Sequence, residues 1–366
     1  MIGSERSAYL FLSLLQAKTG SSLISRLGEL PTSSILEMSA RELAQRVKMT
    51  DHARSSFDGL RGDFDPDALV KRLGEKGIQA LTPADDGYPT RLTEMPDPPP
   101  ALFVDGTLPE GPTIAIVGSR KASPTGLATA RRLGRALAGR GVCVVSGLAL
   151  GIDAASHQGA LDGSGPTVGV LGCGIDVVYP RSNRRLFDGV RENGAIISEY
   201  YLGESPLAWR FPARNRIIAG LGDVLLVVEA AEKSGALITA RHALDSGRDV
   251  WAVPGPPGIP ECRGSNKLLS DGAGVLWDIP EFLETVFPEP ARTSKVGAEE
   301  PQVPDDLPGN EARALAVIGF EATSVDEAAG QVGLPVHELL SALVLLELKG
   351  YVTRDDAGAF VRRAAL

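Results

Sequence analysis

The stretch Ile114-Ala-Ile-Val-Gly-Ser-Arg-Lys-Ala-Ser-Pro-Thr-Gly126 decides the reading of this chain. Its apolar run, Ile114 to Val117, breaks off into Gly118, Ser119 and Arg120, and a helix-like stretch from Leu127 to Leu137 follows. The plan recurs: Val142-Cys-Val-Val145 ends in Ser146-Gly147, Val168-Gly-Val-Leu171 in Gly172-Cys173-Gly174, and Val224-Leu-Leu-Val-Val228 in Glu229-Ala230. Such β-branched runs, spaced by helical stretches, specify strands buried on both faces of a parallel sheet covered by helices. Ligands of these sheets bind outside the carboxyl ends of the strands, where the Gly, Ser and Arg residues fall.

The expected ligand is an anion. Ser123 reads as an N-cap with Pro124 at the first helical position, which turns free backbone N–H groups and the positive helix end toward the loop. Arg120 and Lys121 add full charges beside Gly118 and Ser119. The loop lacks G-x-G-x-x-G and the acidic residue that would hold a ribose, which disfavours a dinucleotide, and no G-x-x-x-x-G-K-[ST] occurs. No cofactor is expected. No metal site emerges either: the 4 histidines are scattered, and Cys143, Cys173 and Cys262 have no ligand spacing and read as buried, reduced thiols.

Further basic concentrations sit at Tyr179-Pro-Arg-Ser-Asn-Arg-Arg-Leu-Phe187 and Arg210-Phe-Pro-Ala-Arg-Asn-Arg216. Arg181, Arg184, Arg185, Arg210, Arg214 and Arg216 are interleaved there with Tyr179, Phe187, Trp209 and Phe211. Forked donors suit phosphate and aromatic faces suit unpaired bases, so the mixture fits a single-stranded polynucleotide better than a metabolite. For Arg214 and Arg216, internal pairing with Asp and Glu is an equal alternative. Lys233, Ser234 and Gly235 mark another helix start at the same edge of the sheet, either extending the phosphate surface or making a packing turn.

These residues resemble a known family. Ile116-Val-Gly-Ser-Arg120, Val145-Ser-Gly-Leu-Ala149, Gly151-Ile-Asp153, Gly169-Val-Leu-Gly172, Tyr179-Pro180, Ser198-Glu199, Phe211-Pro-Ala-Arg-Asn-Arg-Ile-Ile-Ala-Gly-Leu221, Val228-Glu-Ala230, Ser234-Gly-Ala-Leu-Ile-Thr-Ala240 and Val253-Pro-Gly255 follow the order and spacing of the DNA-processing protein A (DprA/Smf) family. The resemblance implies an extended Rossmann-like domain that binds single-stranded DNA, forms a homodimer and loads a RecA-type recombinase during natural transformation, without a reaction of its own. Gly118, Ser119 and Arg120 match its G-S-R pocket. Its second DNA contact falls to Arg181, Arg184 or Arg185, with Phe187 as the accompanying aromatic. The implied dimer contact is placed on Leu268 and Leu269. Thr125 stands where the family often has Tyr, and Ser156 replaces Ala in its G-I-D-x-x-A-H.

At 366 residues the chain calls for two or three domains. Residues 1–64 read as short helices (Ala8 to Gln16, Ser21 to Leu27, Ser33 to Glu37, Ala40 to Arg46), resembling the sterile-alpha-motif or helix-hairpin-helix region of the family. Residues 65–286 form the extended Rossmann-like domain, in which Ile78 to Leu81 is a strand and Leu102 to Val104 leads into an edge strand. Residues 287–310, rich in Pro and acidic residues, are a flexible linker. Three helical stretches and a β-hairpin in 311–366 make a winged helix. No apolar run of about twenty residues occurs, so no membrane span is expected and a cytoplasmic location is.

The whole-chain charge of -9 opposes nucleic-acid binding, but Thr113 to Asp278 holds 18 Lys and Arg against 15 Asp and Glu, a net of +3. From Glu311 onward, 5 basic residues meet 8 acidic ones, so the winged helix is expected to contact protein, with any duplex binding resting on Arg354, Arg362 and Arg363. Catalysis is not expected: Ser146, Asp153 and His157 lack the G-x-S-x-G elbow. The alternative is a Rossmann-like nucleotide hydrolase of the lysine-decarboxylase-like type, although Pro254-Gly-Pro-Pro-Gly258 lacks the Glu of P-G-G-x-G-T-x-x-E.

Overall fold

The apolar runs pair as a parallel sheet because each can bury both faces. The computed structural model describes residues 3–288 apart from 21 and 29, and residues 307–362 apart from 319–322 and 355–358. Its first unit contains nine strands: β1 (Ile78–Leu81), β2 (Leu102–Gly106), β3 (Thr113–Val117), β4 (Cys143–Ser146), β5 (Thr167–Val170), β6 (Gly194–Ser198), β7 (Val224–Val227), β8 (Asp249–Ala252) and β9 (Gly274–Val275). They lie in the order β1-β2-β6-β5-β4-β3-β7-β8-β9. β3 to β9 are parallel, with Ile114 opposite Val144 on one side and Val224 on the other. The expected edge strand is β2, antiparallel to β6, and β1 extends the sheet beyond it.

Alternation along the strands divides the core. Ala115, Val117, Leu225 and Val227 pack against Ile217, Ile218 and Ala240 of the helices Arg210–Leu221 and Gly235–Asp245. Ile114, Ile116, Val144 and Leu226 face Leu133, Leu137 and Ile152 of the helices Pro124–Gly139 and Ile152–Asp162. These last two helices touch backbone to backbone: a Cβ at Gly134 would meet Ser156 O, and one at Gly159 would meet Arg131 O. The chain runs β3 to β6 in one direction across the sheet and returns through β7 to the other side. The switch point between β3 and β7 therefore opens a crevice at the carboxyl edge.

Residues before β1 are more helical than the sequence suggested. Beyond Ser4–Thr19 and Ala40–Arg46, helices span Asp51–Asp63 and Pro66–Gly74, each opened by a side-chain cap, Thr50 on Ala53 N–H and Asp65 on Ala68 N–H. Asp51–Asp63 escaped the pattern because it buries only Ala53 and Phe57. Phe57 meets Phe11 edge to face at 5.0 Å. The first helix docks on the sheet through Leu10, and Gln16 donates to the Glu199 carboxylate at 2.9 Å.

The second unit has the three helices of a winged helix, Gly309–Val317, Val325–Val332 and Val336–Leu348, and paired strands Val352–Arg354 and Phe360–Arg362. Most of the expected linker, the turn at 355–358 and Arg363 lie outside the described residues. Among those described, no helix is long and apolar enough to cross a membrane.

All three cysteines are buried, and burial pushes the Cys143 and Cys173 thiols up to about 12 and about 11. Ser146, Asp153 and His157 form no triad. Ser146 donates to Ile116 O at 2.6 Å, and His157 Nδ1 bonds Thr167 Oγ1 at 2.7 Å. Burial holds the His157 pKa down to about 3, against 6.5 for a free imidazole. Between these values the unfolded chain binds a proton that the folded one refuses, so stability falls as pH drops below 6.5. Urea unfolding at pH 7 and pH 5 is expected to show a loss on the order of 2 kcal/mol that is absent in His157→Gln. Equal losses in both proteins would contradict this.

Candidate nucleic-acid interface

The loop after β3 is drawn tightly onto its neighbours. A Cβ at Gly118 would stand 2.6 Å from Ile152 Cγ1 and 2.9 Å from Glu229 O, so only glycine fits. Ser119 N–H donates to Glu229 O at 2.7 Å, and Lys121 N–H donates to Ser119 Oγ at 3.1 Å. Arg120 and Lys121 are thereby turned out to solvent. The Arg120 guanidinium lies over the Phe211 ring at 5.3 Å, and that ring packs on Tyr179 at 5.4 Å with 34° between planes. A small crevice of about 80 Å³ runs along this stack, with exposed Leu150 on its rim and Arg214 in its floor.

A larger pocket of about 290 Å³ opens at the switch point, lined by Gly118, Arg120, Asp153, Arg214, Ser234 and Gly235 among others. Ser234 caps the helix behind it, accepting Ala236 N–H at 3.2 Å, and Lys233 stands exposed one residue earlier. The pocket floor is an internal ionic framework. Asp153 accepts from Gly147 N–H at 3.2 Å and Ala149 N–H at 3.4 Å, while Arg214 donates to Gly147 O at 3.0 Å and to Val170 O. Burial raises the Asp153 pKa and lowers that of Arg214 to about 10, each partly offset by the other's charge. Asn183 completes the hold on this loop by donating to Leu148 O at 3.0 Å.

The structure removes three residues from the expected DNA-contact set. Arg214 is 3% exposed and committed to backbone carbonyls. Arg216 is buried in ion pairs with Glu199 at 2.7 Å and Asp97 at 3.4 Å. Phe187 is core: the helix Arg184–Glu192 turns it inward with Val190 against Leu171 and Ile196. The helix end at Pro124 is not free either. Ser123 caps it as expected, accepting Gly126 N–H at 3.0 Å, but the Glu229 carboxylate already occupies the position of an anion. Arg181, Arg184 and Arg185 remain exposed, with Arg184 near Asp188 at 3.6 Å. Leu268 and Leu269 do not stand free; both are half-buried on the core.

In the second unit, the wing's Arg354 pairs with Glu347 at 3.6 Å and covers the Phe360 ring at 4.6 Å, while Lys349 pairs with Glu311 at 2.6 Å. Its third helix exposes Val336, Leu340, Val344, Leu345 and Leu348 where a DNA-reading helix presents hydrogen-bonding side chains.

A family model described as DNA recombination-mediator protein A matches residues 79–287, and one described as the DprA winged helix domain matches 298–358. The chain belongs to the DprA/Smf family. Protein Smf of Escherichia coli K12 is 41% identical over 288 residues, 76% of each chain. DNA processing protein DprA of Streptococcus pneumoniae is 45% identical over 194 residues, 52% of this chain and 68% of that one. The X-ray structure of Streptococcus pneumoniae DprA aligns with TM-score 0.63 and 32% identity over 77% of this chain and 97% of its own. DNA processing protein A of Helicobacter pylori, described for its single-stranded DNA binding mode, aligns with TM-score 0.52 and 31% identity over 57% and 94%. Arg120, Tyr179, Phe211 and the switch-point pocket all lie within the matched residues.

The division of arginines predicts opposite behaviours. Arg216→Ala leaves the Glu199 carboxylate buried without its cation, held only by Gln16, and is expected to cost about 3–5 kcal/mol, as is Phe187→Ala through its cavity. Arg120→Ala should change stability by no more than about 0.5 kcal/mol. Urea unfolding of the three variants checks this; a destabilised Arg120→Ala would contradict it.

Proposed function

We propose that this chain binds single-stranded DNA without sequence preference at the carboxyl edge of the sheet. Arg120, Lys121 and the Arg181 to Arg185 cluster hold phosphates, Phe211 and Tyr179 offer faces for unpaired bases, and Ser234 and Gly235 border the path. The observation that carries this reading is the solvent-facing stack of Arg120, Phe211 and Tyr179: a guanidinium that forms no salt bridge among the described residues, beside an aromatic pair. Stacking of this kind contributes about 1–3 kcal/mol per base and tolerates any base. The solved Helicobacter pylori relative, described by its single-stranded DNA binding mode, supports the same reading.

On this reading the protein is a cytoplasmic recombination mediator that covers incoming single strands and passes them to a RecA-type recombinase during transformation. Its role is binding and not catalysis, in keeping with the internal bonds of Ser146 and His157. A homodimer would place two such edges on one strand and raise the effective affinity. The surface suited to it is the β8–β9 edge, where Leu244 and Trp277 are exposed and a hollow of about 380 Å³ is lined by Leu244, Trp251 and Leu268. The switch-point pocket also suits a mononucleotide, which keeps a nucleotide hydrolase as the second reading.

Titration of labelled oligo-dT across a salt series, with sedimentation of the same samples, tests the proposal. Wild type should prefer oligo-dT to duplex and sediment as a dimer. Arg120→Ala should bind about tenfold or more weakly, with the salt slope reduced by about 0.7. Failure of wild type to bind oligo-dT, with release of base or phosphate from mononucleotides, would install the hydrolase.

A further inference from the structure

Glu229 follows β7 and has no part in the DNA contacts assigned above, yet it holds the loop that makes them. Its backbone C=O accepts Ser119 N–H at 2.7 Å. Its carboxylate accepts Ser123 N–H at 3.0 Å and the Ser123 hydroxyl at 2.6 Å. One residue thus ties both ends of the loop that carries Arg120 and Lys121. The residue is only 4% exposed and sits at the first turn of Pro124–Gly139, where unsatisfied N–H groups and the helix dipole favour an anion. Gly126 makes room for it: a Cβ there would stand 2.7 Å from Oε2.

We propose that Glu229 is a positioning residue for Arg120, an internal anion seated where a phosphate would otherwise bind the helix end. It fixes the loop from both sides and reserves the strand's phosphates for Arg120 and Lys121. The motif Val228-Glu-Ala230 thereby gains a physical role distinct from that of the neighbouring Ser234-Gly235 turn. The proposal rests on the single-stranded DNA reading for its functional consequence but not for its geometry.

Chemical rescue separates an anion's role from mere packing. The carboxylate borders a pocket of about 480 Å³, so a small anion can reach the space it leaves. Glu229→Ala is expected to bind oligo-dT about tenfold more weakly in chloride, and acetate at equal ionic strength should restore most of that loss. Acetate should leave wild type and Arg120→Ala unchanged. Glu229→Gln, which keeps an acceptor and loses the charge, should bind about threefold more weakly. Hydrogen exchange over residues 119–126 reads the same event without DNA: faster in Glu229→Ala, and slowed again by acetate. Wild-type affinity in either variant would overturn the proposal, as would a loss in Glu229→Ala that acetate relieves in neither affinity nor exchange. If Glu229→Ala does not fold, Glu229→Gln decides by its affinity and by exchange at Ser123. If wild type itself binds no oligo-dT, the DNA reading falls, and the exchange measurement alone decides the role of Glu229.

Discussion

A parallel sheet ends in loops whose backbone N–H and C=O groups have lost their ladder partners, and covering those loops requires other groups to take the bonds. Here buried charges take them. Asp153 collects two N–H groups of the loop after β4, Arg214 gives to the Gly147 carbonyl after β4 and to the Val170 carbonyl at the end of β5, and Glu229 clamps the loop after β3. Burying such charges is costly, and the cost is offset because each makes several hydrogen bonds or faces an opposite charge. The outcome is a closely tied rim at the switch point, with Gly147 letting its loop approach Arg214 and Asp153 and Gly118 letting its loop lie against Ile152 and the Glu229 backbone.

That constraint sorts the arginines. Those on the helix Arg210–Leu221 turn inward: Arg210 to Glu204 and the Ala17 carbonyl, Arg214 to the rim, Arg216 to Glu199 and Asp97. Arg120 on the loop after β3, Arg181 after β5, and Arg184 and Arg185 in the first turn of the helix Arg184–Glu192 turn outward. Arg210 also holds the first helix through the Ala17 carbonyl, and Arg216 shares the Glu199 carboxylate with Gln16 of that helix. Phe211, three residues before Arg214 on the same helix, lines the same crevice and meets Arg120. A single helix therefore fixes the rim and presents the aromatic face.

The parallel strands were legible because burial on both faces leaves uninterrupted β-branched runs. The winged helix was legible from the spacing of its apolar residues, although the wing's turn falls outside the described residues. The N-cap at Ser123 was legible too, but not its occupant, because Glu229 lies 106 residues away in sequence. For Arg214 and Arg216 the sequence left DNA contact and internal pairing equally open, because an arginine after a strand looks the same whether its partner is solvent or a distant carboxylate. Phe187 had a usable signal in its i+3 partner Val190, both buried on the sheet side of one helix. The helix Asp51–Asp63 gave almost none, since its polar residues outnumber the two it buries.

On the proposed reading, the stack of Arg120, Phe211 and Tyr179 lies against the bases of a bound single strand. Photo-crosslinking with oligo-dT carrying 5-iodouracil, followed by mass-spectrometric mapping of the attached peptides, tests it most directly. Attachment is expected at Phe211 and Tyr179 and should be lost in Arg120→Ala. Attachment confined to the winged helix or to the helices before β1 would contradict it.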